Sequence, residues 1–191
     1  MRVLVLGATG RTGSAMIREL AGRAEIIAGT RETVDIFSTA GLRAAADVDV
    51  VVNAVRLRGN IDPDTLVGLH DRIAAAMSAR IVSVGGAGSL HLPDGSRFWE
   101  DARFPAQTLP RGIAHARLRD HLESKAGDRW AYLIPPPAFN PEGPRTGRYR
   151  ALPSADDESW FTTHRISYAD FAVALADAVT DGWRGTRLVG Q

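Results

Sequence analysis

Apolar positions fall into short continuous runs at residues 3–5, 25–28, 48–55, 80–84 and 131–134, several of them rich in Val and Ile. A strand covered on both faces needs apolar side chains at successive positions, so these runs predict buried strands of a parallel sheet. Between the runs the pattern becomes helical. Residues 12–21 follow the first run, 64–79 start behind Asp62-Pro63, which suits a helix start, and 113–126 carry Leu118 and Leu122. A last helix is expected over 168–179, with Ser167 as its cap. Alternation of this kind specifies βαβ units and an α/β, doubly wound parallel sheet.

Two stretches break the rhythm. Between Arg31 and Val48 there is too little chain for the helix, strand and helix that such a sheet normally carries, so a helix is expected to be missing, with or without an edge strand. What remains reads as a brief extended piece at Asp35-Ile36-Phe37 and a short helix over 39–46. Later, Pro135-Pro136-Pro137 and Pro141-Glu142-Gly143-Pro144 mark an irregular loop. No repeat, low-complexity tract or linker is visible, and 191 residues make one domain spanning 1–191.

Charge narrows the partners. The 23 basic and 22 acidic residues nearly cancel, which gives no electrostatic case for nucleic acid or a charged membrane and leaves a small-molecule substrate as the expectation. There is no cysteine, which removes disulfides, thiolate nucleophiles and cysteine-held metals. No apolar run has the length of a signal-peptide core or a membrane span, so a cytoplasmic protein, monomer or homodimer, is expected. The five histidines are scattered without the i, i+4 pairing of zinc enzymes, and no metal site is expected.

The stretch with most chemistry is Gly7-Ala8-Thr9-Gly10-Arg11-Thr12-Gly13, between the first strand and the first helix. A helix amino end presents unpaired amides and a positive dipole end, which attract phosphate. Gly7 suits a tight turn, Gly10 a close approach of the backbone to a pyrophosphate, and Gly13 close packing of helix on strand. A glycine triplet also serves plain turns, but strand, loop and helix in this order favour a dinucleotide. The second strand ends Gly29-Thr30-Arg31, with an acid only at Glu32. An arginine there suits the 2′-phosphate of NADP(H) rather than the bare ribose of NAD(H), or is a solvated charge at a strand end. Arg11 lies close enough in sequence to join it.

Six stretches together carry a family resemblance: GATGRTG at the start, VVNAV over 51–55, VGGAGSL over 84–90, PPPAF over 135–139, GPRTGRYR over 143–150 and RISYADFAVAL over 165–175. The chain resembles the atypical short-chain dehydrogenase/reductase group, in particular its NmrA-like, NAD(P)H-flavin-reductase-like members, relatives of biliverdin-IX-beta reductase. The resemblance implies a single Rossmann-like domain shortened between the second and fourth strands, with NADP(H) across the carboxyl edge of the sheet and the substrate side built from about 85–110 and 135–165. It implies Gly7, Thr9, Gly10, Arg11, Thr12 and Gly13 at the diphosphate, Arg31 at the 2′-phosphate and Asp35-Ile36 beside adenine. Ala54, Val55 and Arg56 would run past the nicotinamide ribose, and Pro135 and Pro136 would border the nicotinamide.

A carbonyl-reducing member needs tyrosine as proton donor, a lysine four residues later, and a serine to polarise the carbonyl. Lys125 is the only lysine, the position four before it is His121, and the place of the serine reads Val84-Gly85-Gly86. Hydride transfer to a flavin, bound as substrate rather than prosthetic group, tolerates this, because an oxidised isoalloxazine ring accepts hydride once held against nicotinamide. Gly85-Gly86-Ala87-Gly88 is expected to leave open space and exposed amides for such a ring, or to be simply flexible. His115, in the helix HARLRDHLES, is the candidate catalytic side chain by resemblance, as proton donor or ribose contact; otherwise it is an exposed helical histidine. His91, Trp99, Phe104, Phe139 and Tyr149 are candidates for a substrate pocket. Two other readings share the glycine loop: a non-enzymatic NADP(H)-sensing regulator, and a tailoring reductase of a quinone or aromatic polyketide.

Overall fold

The computed structural model describes residues 1–45, 47–125, 127 and 129–191. Its strands are β1 (Arg2–Leu6), β2 (Glu25–Gly29), β3 (Val50–Asn53), β4 (Arg80–Val84), β5 (Trp130–Ile134), β6 (Ala138–Asn140), β7 (Arg150–Pro153), β8 (Arg165–Ser167) and β9 (Gly185–Gly190). The helices are α1 (Arg11–Leu20), α2 (Thr39–Ala44), α3 (Thr65–Ala76), α4 (Leu109–Ser124) and α5 (Tyr168–Thr180). Seven strands form one sheet in the order β2-β1-β3-β4-β5-β9-β7, parallel except for β7 against β9, and β6 pairs with β8 apart from it. This is a single-domain, Rossmann-like α/β fold.

The runs at β1, β3, β4 and β5 are buried strands, as their composition gives, whereas β2 is the edge of the sheet and leaves Glu25 and Ala28 exposed. Val3, Val5, Val52, Val82 and Leu133 pack under α1 and α5, while Leu4, Leu6, Val51, Ile81, Tyr132 and Ile134 pack on the opposite face. Helix ends differ in detail. α3 stops at Ala76, short of 79, because Met77 is already extended, and Asp62 accepts from the Asp64 amide (2.8 Å) in a turn rather than capping the helix. α4 begins at Leu109, earlier than 113, with Pro110 in its first turn. The expected ends at Ala46 and Ala126 lie outside the described residues.

The short interval is real: among the described residues no strand lies beyond β2, which is the edge of the sheet. Residues 35–37 form a turn rather than the expected extended piece, because the Asp35 carboxylate accepts from the Phe37 amide and the Ser38 hydroxyl (2.9 Å each). Ser38 in turn accepts from the Gly41 amide (3.0 Å) and starts α2. The bare edge is partly closed by a side chain. Glu25 and Gly29 turn their polar groups to β1, so Ala28 faces outward, and its carbonyl accepts from the Thr33 hydroxyl (3.1 Å).

The GPRTGRYR and RISYADF stretches meet as a clasp. Buried Asp170 accepts from the Thr146 amide (2.8 Å) and hydroxyl (2.7 Å), the Gly147 amide (2.7 Å) and Gln191 Nε2 (2.7 Å). Arg145 grips Glu19 of α1 with two bonds, 2.6 and 2.9 Å. Ser167 caps α5 as expected, its hydroxyl accepting from the Asp170 amide at 2.9 Å. Ser167→Ala is expected to lower stability by about 1 kcal/mol, read as a shift in urea midpoint at constant slope. Among the described residues no helix is long and apolar enough to cross a membrane.

Candidate functional site

Five parallel strands end on one side, and the loops leaving them bring the expected nucleotide residues to a common edge. The glycine loop leaves β1, the turn with Arg31 leaves β2, Ala54, Val55 and Arg56 leave β3, Gly85 leaves β4, and Pro135 and Pro136 leave β5. Gly7 has φ +80°, and a Cβ there would stand 2.6 Å from the Ala54 carbonyl oxygen, so the turn needs glycine twice over. A Cβ on Gly13 would run into the Gly7 carbonyl, which is how α1 sits so close behind the loop. Gly10 caps α1 without a side-chain bond, so the amino end of the helix stays open toward the edge. The cradle therefore fits a phosphate of a dinucleotide.

Arginines occur in the segments that follow β1, β2 and β3. Arg11, Arg31, Arg56 and Arg58 are exposed, and among the described residues none has a carboxylate within ion-pair distance. Glu32, the nearest acid to Arg31 in sequence, instead takes the Thr30 hydroxyl at 2.6 Å. Asp35 spends its carboxylate on its own turn, and the Ile36 carbonyl is held by Arg72 Nε at 3.1 Å, so this pair shapes the loop beside Arg31.

No family model matches the chain. The Bacillus subtilis protein YwnB is 27% identical over 203 residues, which cover 93% of this chain and 91% of that protein. A candidate NADH-flavin reductase of Streptococcus pneumoniae superposes with a TM-score of 0.81 at 27% identity, over 100% of this chain and 99% of the other. A candidate exported protein of Burkholderia pseudomallei gives 0.82 at 26%, over 100% of each chain. The chain resembles the atypical short-chain dehydrogenases/reductases in sequence pattern and in fold. Within such a reductase-like fold, the helix that would bear a tyrosine-lysine pair is α4. There Lys125 lies past the last turn, bound with His121 to Asp71 at 2.7 and 2.9 Å, well away from the carboxyl edge.

The glycines after β4 correct one expectation. They leave no open space on the side where a Cβ would stand, because each of those gaps is filled by a neighbour. A Cβ on Gly85 would lie 2.7 Å from the Leu133 carbonyl and 3.0 Å from Tyr132 Cζ; on Gly86, 2.6 Å from His115 Cδ2; on Gly88, 2.5 Å from Gly112 Cα. Here glycine lets α4 and β5 press against the loop.

His115 is not an exposed helical histidine either. It is half-buried against Gly86, its Nδ1 lies 3.1 Å from the Tyr132 hydroxyl, and that hydroxyl donates to the His115 carbonyl at 3.0 Å. Burial, with Arg111 adding, pushes the imidazole down to about 4, so it is neutral at pH 7. Burial likewise holds the Tyr132 phenol far above its ordinary value.

Sequence reasoning missed a buried ion pair beside this loop. Arg119 and Glu158, both with no exposed side-chain surface, are joined by bonds of 2.7 and 2.9 Å. Arg119 also donates to the Ser89 carbonyl (2.8 Å), Ser154 Oγ (2.6 Å) and Glu123 (2.8 Å), and Glu158 accepts from the His91 amide (2.9 Å). The pair fastens α4 to the loops after β4 and β7. Its only sequence signal is the i, i+4 spacing of Arg119 and Glu123, which many exposed helices share. Of the pocket aromatics, Phe139 packs on Tyr168 and Phe171, and Tyr149 binds Asp177 at 2.6 Å; both belong to the α5 side of the core. Phe104 packs edge-on against Phe98 and closes over Gly112, where Trp99 also touches.

Proposed function

We propose that the chain is an NADPH-dependent reductase that passes hydride to a flavin or another flat conjugated acceptor, taken as a substrate. The observation that carries this reading is the open amino end of α1 behind the Gly7 turn, flanked by Arg11 and Arg31, which have no acid partner among the described residues. When bound, the nucleotide supplies the hydride. The amides of Thr9 and of Arg11 to Gly13 bind its diphosphate, the Gly10 amide being held by the Gly7 carbonyl at 2.9 Å, and Arg31 binds the 2′-phosphate by charge-assisted hydrogen bonds. Ala54, Val55 and Arg56 line the ribose, Asp35-Ile36 the adenine, and Gly85, Pro135 and Pro136 the nicotinamide. The segments 85–110 and 135–165, held together through Arg119 and Glu158, form the acceptor side. The likeness to a candidate NADH-flavin reductase supports a nicotinamide cofactor and a flavin-like acceptor. No tyrosine-lysine pair is needed, because a flat ring held against the nicotinamide accepts hydride and water supplies the proton.

The test follows nicotinamide absorbance with NADPH or NADH and, in turn, FMN, riboflavin and quinones. NADPH oxidation dependent on a flavin is the expected result. Tight NADPH binding without turnover of any acceptor would instead favour a nucleotide-sensing regulator, and binding of neither nucleotide would overturn the reading.

A further inference from the structure

The contacts between His115 and Tyr132 favour one assignment of protons. The phenol has one proton; the His115 carbonyl lies at 3.0 Å and the ring Nδ1 at 3.1 Å, with the Ser89 side chain and the Gly86 backbone also beside its oxygen. A carbonyl oxygen only accepts. If the phenol gave its proton to Nδ1, its oxygen would face the carbonyl oxygen at hydrogen-bond distance with no proton between them. If it gives the proton to the carbonyl, Nδ1–H donates to the phenol oxygen and both contacts are satisfied. Nε2 is then the bare nitrogen. It has no partner among the described residues and is not a buried orphan, so it keeps contact with solvent, on a ring whose Cδ2 edge lies against Gly86.

We propose that Tyr132 is a positioning residue that holds His115 in the Nδ1–H form, and that Nε2 serves as a hydrogen-bond acceptor for a hydroxyl or N–H of whatever fills the cleft. Two sources offer that chemistry at this edge: a ribose hydroxyl of the nicotinamide nucleotide, and a ring N–H of the acceptor. A neutral ring with a bare Nε2 binds and orients there; it has no proton to give. This replaces proton donation by His115 and leaves solvent as the proton source. The identity of the donor rests on the reductase reading, whereas the proton assignment does not.

Long-range 1H–15N spectra of the protein without nucleotide are expected to show Nδ1 protonated and Nε2 bare at pH 7. Tyr132→Phe, which keeps the ring, should move the population toward Nε2–H. His115→Phe is expected to weaken binding about three- to tenfold, while His115→Gln, which keeps an acceptor near the Nε2 position, stays within about twofold of the original. Weaker NADPH affinity assigns the donor to the nucleotide; a raised KM for the acceptor alone assigns it to the acceptor. An Nε2–H ring in the unaltered protein, a tautomer unmoved by Tyr132→Phe, or His115→Phe matching the original in both constants would overturn the proposal. The spectra need no nucleotide, so an Nδ1–H ring in a protein that binds neither NADPH nor NADH would overturn the reductase reading alone.

Discussion

Glu158→Gln is expected to destabilise the fold by about 3–5 kcal/mol in urea denaturation, the range for removing one charge of a buried pair. Arg119 would keep Glu123 and the Ser89 carbonyl, but its guanidinium has no exposed surface through which water could replace the lost carboxylate. Arg119→Met combined with Glu158→Leu should cost less than either single change, because no charge is then left unpaired in the interior. A loss under about 1 kcal/mol for Glu158→Gln would refute the assignment of the pair as the fastening of the acceptor side. The pair also gives a pH dependence with a definite sign. Burial raises the Glu158 carboxyl, but the Arg119 bonds and the His91 and Ala155 amides outweigh it and hold the folded value below the ordinary one. Its stabilisation is therefore fully present above the unfolded carboxylate value, about 4.3, and is lost as pH falls through the lower folded value. Acid unfolding should accordingly be shallower in the double variant than in the original.

Arg31→Ala is expected to weaken NADPH binding by about 1.5–3 kcal/mol, roughly ten- to 150-fold, with little effect on NADH. The reason is local. The Arg31 guanidinium is exposed at the end of β2 with no acid partner among the described residues, and Glu32 is folded back on Thr30 rather than presented to a ribose hydroxyl. A charge-assisted grip on a phosphate is screened by salt, so the NADPH preference should also shrink as ionic strength rises. Titration calorimetry with both nucleotides at low and high salt checks this. Equal losses for NADPH and NADH would place Arg31 outside the 2′-phosphate contact.

Legibility in the sequence followed chemistry that is local. The runs at β1, β3, β4 and β5 are apolar at successive positions because both faces are covered, and that pattern needs no partner to be recognised. β9 is different: in Gly185–Gly190 only Leu188 and Val189 are large and apolar, and the strand is made by pairing between β5 and β7. β6 and β8 are three residues each and exist through each other, so no local period announces them. The glycine loop after β1 was readable because strand, turn and helix fix its meaning. Gly85, Gly86 and Gly88 were not, since an absent side chain serves open space and tight contact alike, and only the neighbours at Tyr132, His115 and Gly112 decide between them. Arg119 was hidden for a related reason: its partner Glu158 is distant in sequence, and an arginine on a helix is ordinarily a surface residue.

The Thr33 hydroxyl, bonded to the Ala28 carbonyl at the rim of β2, has a consequence beyond the geometry of one turn. Losing the outer strand of a sheet uncovers a row of backbone groups, and such a row invites other chains to stack on it and come out of solution. One hydroxyl, itself bonded to the Thr30 amide at 2.9 Å, removes a rung from that row. A chain adding itself to the rim of β2 would therefore find the Ala28 carbonyl and the Thr30 amide already taken.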